Sequence, residues 1–261
     1  MDVGSVQTKV VILDGNRVVQ GRGLVHTGAN LARAVRHAFK EALLEAGIAE
    51  WDITLVVGTG YGRFAIPFGH LRSTETLCHA RGAIYRYPKT HTILDIGGQD
   101  MAAIRIDSTG NVKDFAMNDK CSAGSGRFLE STADLLRVPI NEIGDLGTKS
   151  ADSPVITNVC SVMAEVEILD RLEQGLPVED IFAGVFGSLA RRAASLLERT
   201  GIEEEITLSG GVGRYRGMSK ALEDTLGRPV NSGVDGVYVG ALGAALLGLE
   251  RAKGESGLSD D

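Results

Sequence analysis

Sulfur, aromatic rings and proline are all sparse in this chain. Its 261 residues include three cysteines, one tryptophan, six prolines and 5% aromatic side chains. A small, odd number of cysteines in a long chain excludes a disulfide-stapled secreted scaffold, leaving metal binding or core packing as their use. An excess of positive charge is missing too: 27 Lys and Arg face 34 Asp and Glu, for a net charge of −7. That balance argues against nucleic acid as the main partner, because binding a polyanion requires clustered cations. No run approaches the ~18 consecutive apolar residues of a membrane-spanning helix, and no basic stretch with an apolar h-region opens the chain. A cytoplasmic protein with neither a membrane nor a nucleic-acid partner is expected.

What is present is ordinary in bulk and unusual in detail. Hydrophobic residues at 43% and charged residues at 23% describe a folded globular chain, long enough for one large domain or two smaller ones. The 34 glycines, about twice the usual share, cluster beside apolar runs rather than in a linker. Such clusters suggest backbone placed close to a ligand. Met1-Asp2-Val3-Gly4-Ser5 leads into the alternating stretch Thr8–Leu13 and the turn Asp14-Gly15-Asn16-Arg17, a hairpin pattern. Helical spacing over residues 30–47 ends at Gly47 as a C-cap, before a buried-strand run Ile53–Val57 and Gly58-Thr59-Gly60-Tyr61-Gly62. A second copy of this plan starts near residue 91. Thr92-Ile93-Leu94 enters Asp95-Ile96-Gly97-Gly98-Gln99-Asp100 and returns through Met101–Ile106 to a turn at Ser108-Thr109-Gly110. Helical spacing resumes at 124–137, 161–174 and 180–200. Glu205–Leu208 then enters Ser209-Gly210-Gly211-Val212-Gly213, and Gly240–Leu249 reads as a small-residue helix.

The expected fold is α/β and two-lobed. The first lobe covers residues 1–90 and is completed by a C-terminal helix at 236–252, the second covers 91–235, and 253–261 is a frayed polar tail. A carboxylate beside a glycine turn at a strand end, given twice, suits a metal–nucleotide cleft. Glycine amides approach phosphate oxygens while the carboxylate holds Mg²⁺ or orients water. Asp2 and Asp95 are the candidate carboxylates, and Gln99 is the candidate for positioning the attacking water. Gly4, Ser5, Gln7, Thr8 and Lys9 in one turn, and Gly97 and Gly98 in the other, are candidate phosphate contacts. Gly210 and Gly211 would lie against a base or ribose. One such turn alone is more often just a turn; two at duplicate positions plus Ser209-Gly210-Gly211 resemble the ATP-binding clefts of the actin, sugar-kinase and Hsp70 superfamily. Neither a Walker loop nor a G-x-G-x-x-G strand–helix fingerprint is obvious.

Cys121, in Lys120-Cys121-Ser122, and Cys160, in Val159-Cys160-Ser161, each precede a helical run. A helix N-terminus favours a thiolate or an anionic thiolate-ligated cluster. A cubane cluster takes four thiolates and one chain offers two so placed, so a two-fold axis would supply the other pair. Cys78 and His79 read as structural. Glu203-Glu204-Glu205 reads as a solvated turn and Arg191-Arg192 as a helix face.

The strings Asp2-Val3-Gly4-Ser5, Gly58-Thr59-Gly60-Tyr61-Gly62-Arg63, Cys78-His79-Ala80-Arg81-Gly82-Ala83, Asp95-Ile96-Gly97-Gly98-Gln99-Asp100, Met117–Phe128 and Ser209-Gly210-Gly211-Val212 resemble the activator ATPases of 2-hydroxyacyl-CoA dehydratases and the related ATPase subunits of benzoyl-CoA reductase. The resemblance spans nearly the whole chain. It implies an actin-like, ribonuclease H-like duplicated ATPase with the nucleotide, ATP or ADP with Mg²⁺, between its lobes. It also implies a dimer of two copies or of paralogous subunits, with one [4Fe–4S] cluster held between them by Cys121 and Cys160 of each. The implied work is ATP-driven one-electron transfer from a ferredoxin or flavodoxin to an acyl-CoA dehydratase or reductase, in an oxygen-sensitive system. The family carries a full apolar strand before the first Asp-x-Gly, so the first strand is expected to be short here. Two rival readings are a small-molecule kinase with packed cysteines and an ATP-dependent chaperone or regulator whose thiols bind zinc or sense redox state.

Overall fold

The computed structural model describes residues 1–118, 122–150, 152–157 and 160–254. Two compact units emerge, one formed by Met1–Pro88 with the segment from Val237 onward and the other by Lys89–Gly236. In the first unit β1 (Asp2–Val3), β2 (Gln7–Leu13) and β3 (Val19–His26) form an antiparallel sheet in that order. Helix α1 (Leu31–Ala46) follows. Its start is fixed by the Asn30 side chain, which accepts from the Arg33 amide, and its end by Gly47 in the left-handed region. Ala34, Val35, Ala38, Phe39 and Ala42 recur at helical spacing and form its buried face. β4 (Val57–Gly58) pairs in parallel with β5 (Leu71–Arg72), and α2 (Glu75–Arg86) follows.

The second unit repeats the strand order at greater length. β6 (Thr92–Ile96), β7 (Met101–Ile106) and β8 (Val112–Met117) form the antiparallel part, followed by α3 (Gly126–Leu136), α4 (Ile143–Leu146), α5 (Ser161–Glu173) and α6 (Val178–Thr200). β9 (Ile206–Ser209) runs parallel to β6, α7 (Arg216–Leu226) follows, and β10 (Val230–Asn231) closes a five-stranded sheet ordered β10-β9-β6-β7-β8. Phe128, Phe182 and Phe186 are fully buried beside Leu94, Ile96 and Leu208. Each such ring contributes about 1.5–3 kcal/mol by leaving water. The final helix, α8 (Val239–Ala252), packs in the first unit against α2 and β2.

One reading of the sequence changes. Ile53–Val56 is not sheet: ladder pairing begins at Val57, and Thr54 is exposed. The cause lies next door, because β1 reaches only Thr8 and Lys9 of β2 and offers Ile53–Val56 no strand to pair with. Val10–Leu13, paired with β3 on one side, face a cavity of about 550 Å³ on the other, bounded by Met1, Ile53–Val57 and α8 residues such as Ala245, Gly248 and Leu249. Glu203-Glu204-Glu205 is an exposed bend as expected, and it is tied down as well: Glu203 meets Arg105 at 2.9 Å and the Glu205 carbonyl accepts from the His91 and Thr92 amides. Arg191 and Arg192 lie on a face of α6 as expected, and Arg191 also donates to the Ile156 carbonyl at 2.7 Å. Of the tail read as frayed, 255–261 lies outside the described residues.

Candidate functional site

The two Asp-x-Gly turns close with the same hydrogen bond. Two residues after Asp2, the Gly4 amide donates to the Gln7 carbonyl at 3.1 Å; two residues after Asp95, the Gly97 amide donates to the Asp100 carbonyl at 2.9 Å. Each carboxylate also stands against a left-handed glycine on the neighbouring parallel segment. Asp2 bridges Thr59 and is followed there by Gly60 at φ +89°; Asp95 pairs with Ser209, followed by Gly210 at φ +85°. A side chain on Gly60 would collide with the Asp2 carboxylate and the Val3 carbonyl, and one on Gly210 with Asp95 and the Ile96 carbonyl. The positive φ and the crowding demand glycine together. Thr59-Gly60 was therefore the missed partner of Ser209-Gly210, although a hydroxyl–glycine pair ending an apolar run was visible at both places.

The carboxylates differ in their surroundings. Asp2 is buried and accepts from the Lys9 ammonium at 3.0 Å. Burial alone would raise its pKa, but Lys9 and His79 on α2 outweigh that and hold the carboxyl below its ordinary range. Gly240 on α8 leaves the space that Asp2 and His79 occupy, since a Cβ there would lie 2.8 Å from His79 Nε2 and 3.3 Å from Asp2 Oδ2. Asp95 accepts from the Ser209 hydroxyl at 3.2 Å.

Unit one thus gathers Asp2, Gly4, Ser5, Gln7 and Lys9 around one turn, with the Lys9 ammonium engaged by Asp2. Thr8 departs from its expected place: its hydroxyl is fully buried against Thr27 at 2.9 Å, and Thr27 donates to the Gly4 carbonyl at 2.9 Å, so the pair props the turn. Unit two gathers Asp95, Gly97, Gly98, Gly210 and Gly211, the last opening a 3-10 turn over Gly211–Arg214. Gln99 is exposed and lines a polar cavity of about 380 Å³ with Ser122, Arg127, Ser161 and Glu165.

Of the two cysteines singled out, Cys121 lies outside the described residues, and a 3-10 turn at Ser122–Gly124 separates it from α3. Cys160 is the N-cap residue of α5, partly exposed, and no side chain caps that helix. The thiol therefore sits where first-turn amides favour an anion. A strip of Val162, Met163, Val166, Leu169 and Leu172, between 40% and 64% exposed, continues along α5. Cys78 is fully buried on α2, and burial pushes its thiol pKa up, which makes it a packing residue. Among the described residues no cluster of three or more His, Cys, Asp or Glu can hold a metal ion, and no helix is long and apolar enough to cross a membrane.

The model of the BadF/BadG/BcrA/BcrD ATPase family matches residues 1–248. The chain belongs to this family. The (R)-2-hydroxyglutaryl-CoA dehydratase activating ATPase of Acidaminococcus fermentans is 37% identical, with 97% of this chain and 96% of that one covered. A benzoyl-CoA reductase subunit of Thauera aromatica is 35% identical over 84% of this chain and 79% of its own. The activator of the 2-hydroxyisocaproyl-CoA dehydratase from Clostridium difficile, solved with bound ADPNP, superposes with a TM-score of 0.92 at 34% identity, covering 99% of this chain and 97% of that one. A ROK family glucokinase from Streptomyces griseus, 14% identical with a TM-score of 0.58 and coverage of 95% and 97%, shares the fold alone. The fold is thus that of the actin-like ATPases and sugar kinases.

Proposed function

We propose that this protein is an ATP-hydrolysing activator that delivers single electrons to an acyl-CoA dehydratase or an aromatic acyl-CoA reductase, working as a dimer of identical or paralogous subunits. The observation that carries the reading is the joint occurrence of paired Asp–glycine turns and a thiol at the N-terminus of α5. Kinases of this fold need the turns but have no use for the thiol. In this reading the amides and side chains of Gly4, Ser5, Gln7, Gly97 and Gly98 hold the phosphates. Asp2 and Asp95 hold Mg²⁺ or its waters, Gln99 orients the attacking water, and Gly210 and Gly211 lie against the nucleoside.

The donor set on this chain fits half of a [4Fe–4S] site. Cys160 offers a thiol at uncapped helix amides, Cys121 is the second ligand by position in the sequence, and the partner copy would complete four. When bound, such a cluster supplies a store for one low-potential electron, filled by a ferredoxin or flavodoxin. The exposed apolar strip of α5 starts beside Cys160, where two chains would have to meet. ATP can drive the transfer only if the nucleotide binds two conformations unequally.

The test is anaerobic iron and acid-labile sulfide analysis with an optical spectrum on the wild-type chain, Cys160→Ala and Cys121→Ala at known oligomeric state. About four irons per dimer, lost in both variants and bleached by air, is the expected result. An iron-free protein after reconstitution that still hydrolyses ATP would sink the electron-transfer reading and favour a small-molecule kinase.

A further inference from the structure

Cations gather without anions on one part of the first unit. Residues 27–40 and 53–74 hold Arg33, Arg36, Lys40, Arg63 and Arg72 and not one Asp or Glu, in a chain whose net charge is −7. On α1 the positions 33, 36 and 40 share a helical stripe, all three residues are exposed, and like charges so placed repel. The turn Arg63–Ala65 packs against α1. There the Arg63 and Arg72 guanidinium groups stand 4.8 Å and 5.2 Å from the centre of the Phe64 ring, which is 68% exposed, as is Tyr61 three residues earlier. Arg36 lies 6.0 Å from the centre of the Phe68 ring, which itself meets Phe39 of α1 at 4.8 Å. None of Arg36, Arg63 and Arg72 forms an ion pair among the described residues, whereas Arg105, Arg127, Arg171 and Arg228 of the second unit all do.

We infer that this cation–aromatic surface docks a partner protein through a row of carboxylates on the partner's face. Docking of this kind needs no nucleotide and stands apart from the ATPase reading. Two guanidinium groups on one ring repel each other, and an acidic side chain set between them relieves a repulsion that no described carboxylate of this chain relieves. Exposed Tyr61 and Phe64 add apolar area with few rotatable bonds, and arginine beside aromatic rings is the composition in which interfaces concentrate their binding energy. The cations suit a row of anions better than a single one. Positions 33 to 40 alone run about 10 Å along α1, and guanidinium groups laid on different rings do not converge on one phosphate. A long polyanion is the poorer match, because DNA, RNA or an anionic bilayer would extend past the patch onto a chain of net charge −7. The surface is also set in advance. The Gly62 amide donates to the Val3 carbonyl at 2.7 Å, Arg63 Nη1 donates to the Gly60 carbonyl at 3.2 Å, and Leu71 and Arg72 pair with β4, so docking has little backbone to order.

The measurement is fluorescence anisotropy of a fluorescein-labelled Glu-rich peptide containing one Leu, titrated with the full-length chain, beside a counterpart with Lys for Glu. The Glu-rich peptide is expected to bind, roughly tenfold more tightly at about 20 mM than at about 200 mM salt, and the Lys-rich peptide not at all. Phe64→Ala is expected to weaken binding by roughly tenfold, and Arg36→Glu combined with Arg72→Glu to abolish it. Arg228→Glu, a charge reversal on the second unit, is expected to leave it unchanged. Arg63 stays in place, since it also holds the Gly60 carbonyl beside Asp2. Coincident thermal melts of all variants separate lost docking from lost folding. Should the double reversal not fold, Arg36→Gln with Arg72→Gln reads the same surface.

No binding of the Glu-rich peptide by the wild type overturns the docking surface and leaves the ATPase reading standing. Binding lost equally in Arg228→Glu, or indifferent to Phe64, overturns it as well, since general charge attraction then accounts for the contact. Tighter binding of single-stranded DNA or of phosphatidylserine vesicles than of the peptide would overturn the choice of a protein partner.

Discussion

The strand order β3-β2-β1, continued across the Asp2–Thr59 bridge into β4-β5, repeats in the second unit as β8-β7-β6-β9-β10, yet the two sheets are unequally built. β6 has five residues, all buried, with five partners on β7 and four on β9. β1 has two residues, two partners on β2 and a single bridge to Thr59. The turn that follows is nevertheless the same in both, down to the hydrogen bond from the glycine amide. The turn geometry is therefore local: it needs an aspartate, a glycine two residues on and a left-handed glycine across the ladder. The length of the strand behind it governs how much sheet and core each unit owns.

The largest effects are expected where the aspartates are compared directly. Asp2→Ala and Asp95→Ala should each lower kcat for ATP hydrolysis by roughly 100-fold or more, the scale of losing a preorganised electrostatic contact at a transferring phosphate. Their stabilities should then diverge. Asp2→Ala leaves the buried Lys9 ammonium without its carboxylate and should cost about 3 kcal/mol, whereas Asp95→Ala removes the hydrogen bond from the Ser209 hydroxyl and should cost nearer ~1 kcal/mol. Steady-state ATPase assays and urea unfolding check both halves. Equal stabilities would mean that the Asp2–Lys9 pair contributes no more than an ordinary hydrogen bond.

The second comparison is between strands. Four apolar, β-branched residues fused ahead of Met1 would extend β1 along the bare edge of Val10–Leu13 and give Ile53–Val56 a neighbour. Filling the 550 Å³ cavity with about two inward side chains is expected to add roughly 3 kcal/mol, raising Tm by about 6–12 °C for a chain of this size. A polar extension of equal length serves as the control. An unchanged Tm would show that the cavity does not take a strand.

The duplicated glycines come next. Gly60→Ala and Gly210→Ala each force a left-handed backbone onto a residue with a Cβ and crowd a carbonyl, and each should destabilise by about 2 kcal/mol. A much smaller loss for Gly60→Ala would indicate that the lightly paired first sheet yields where the second cannot. Thermal melts of the two variants settle the order.

Much of this pattern was legible in the residues. The β2–β3 hairpin, α1 with its Asn30 and Gly47 ends, and the Asp95–Asp100 turn each rest on local chemistry that a few neighbouring residues determine. Ile53–Val56 was misread because an apolar run satisfies a strand pattern whether or not a partner strand exists to pair with it. The Lys9–Asp2 pair could not be seen for another reason. Alternation assigns the two residues to strands but says nothing of which faces meet. The exposure of Glu203 and the helix-face position of Arg191 were readable, whereas sequence carries no trace of the distant Arg105 and Ile156 to which they bond.

The smallest expected effect concerns the nitrogen at the head of β1. The Met1 ammonium is buried and donates to the Val57 carbonyl at 2.8 Å, and burial pushes its pKa down from 8.0 to about 6. β6 carries an uncharged peptide nitrogen at every position of its ladder. An amine whose folded pKa is depressed binds fewer protons in the folded than in the unfolded state between the two values. Stability should therefore rise as pH increases from about 6 to 8 and fall back over the same window as pH drops, with no further change from this group below about 6. Other groups add their own slopes, so the informative quantity is the difference from a chain acetylated at Met1, which cannot titrate there. Urea midpoints for the two forms should separate at pH 6 and converge toward pH 8. Parallel curves across that range would mean that the ammonium reaches water. The first unit would then differ from the second in strand length alone, with no buried charge at the head of its central strand.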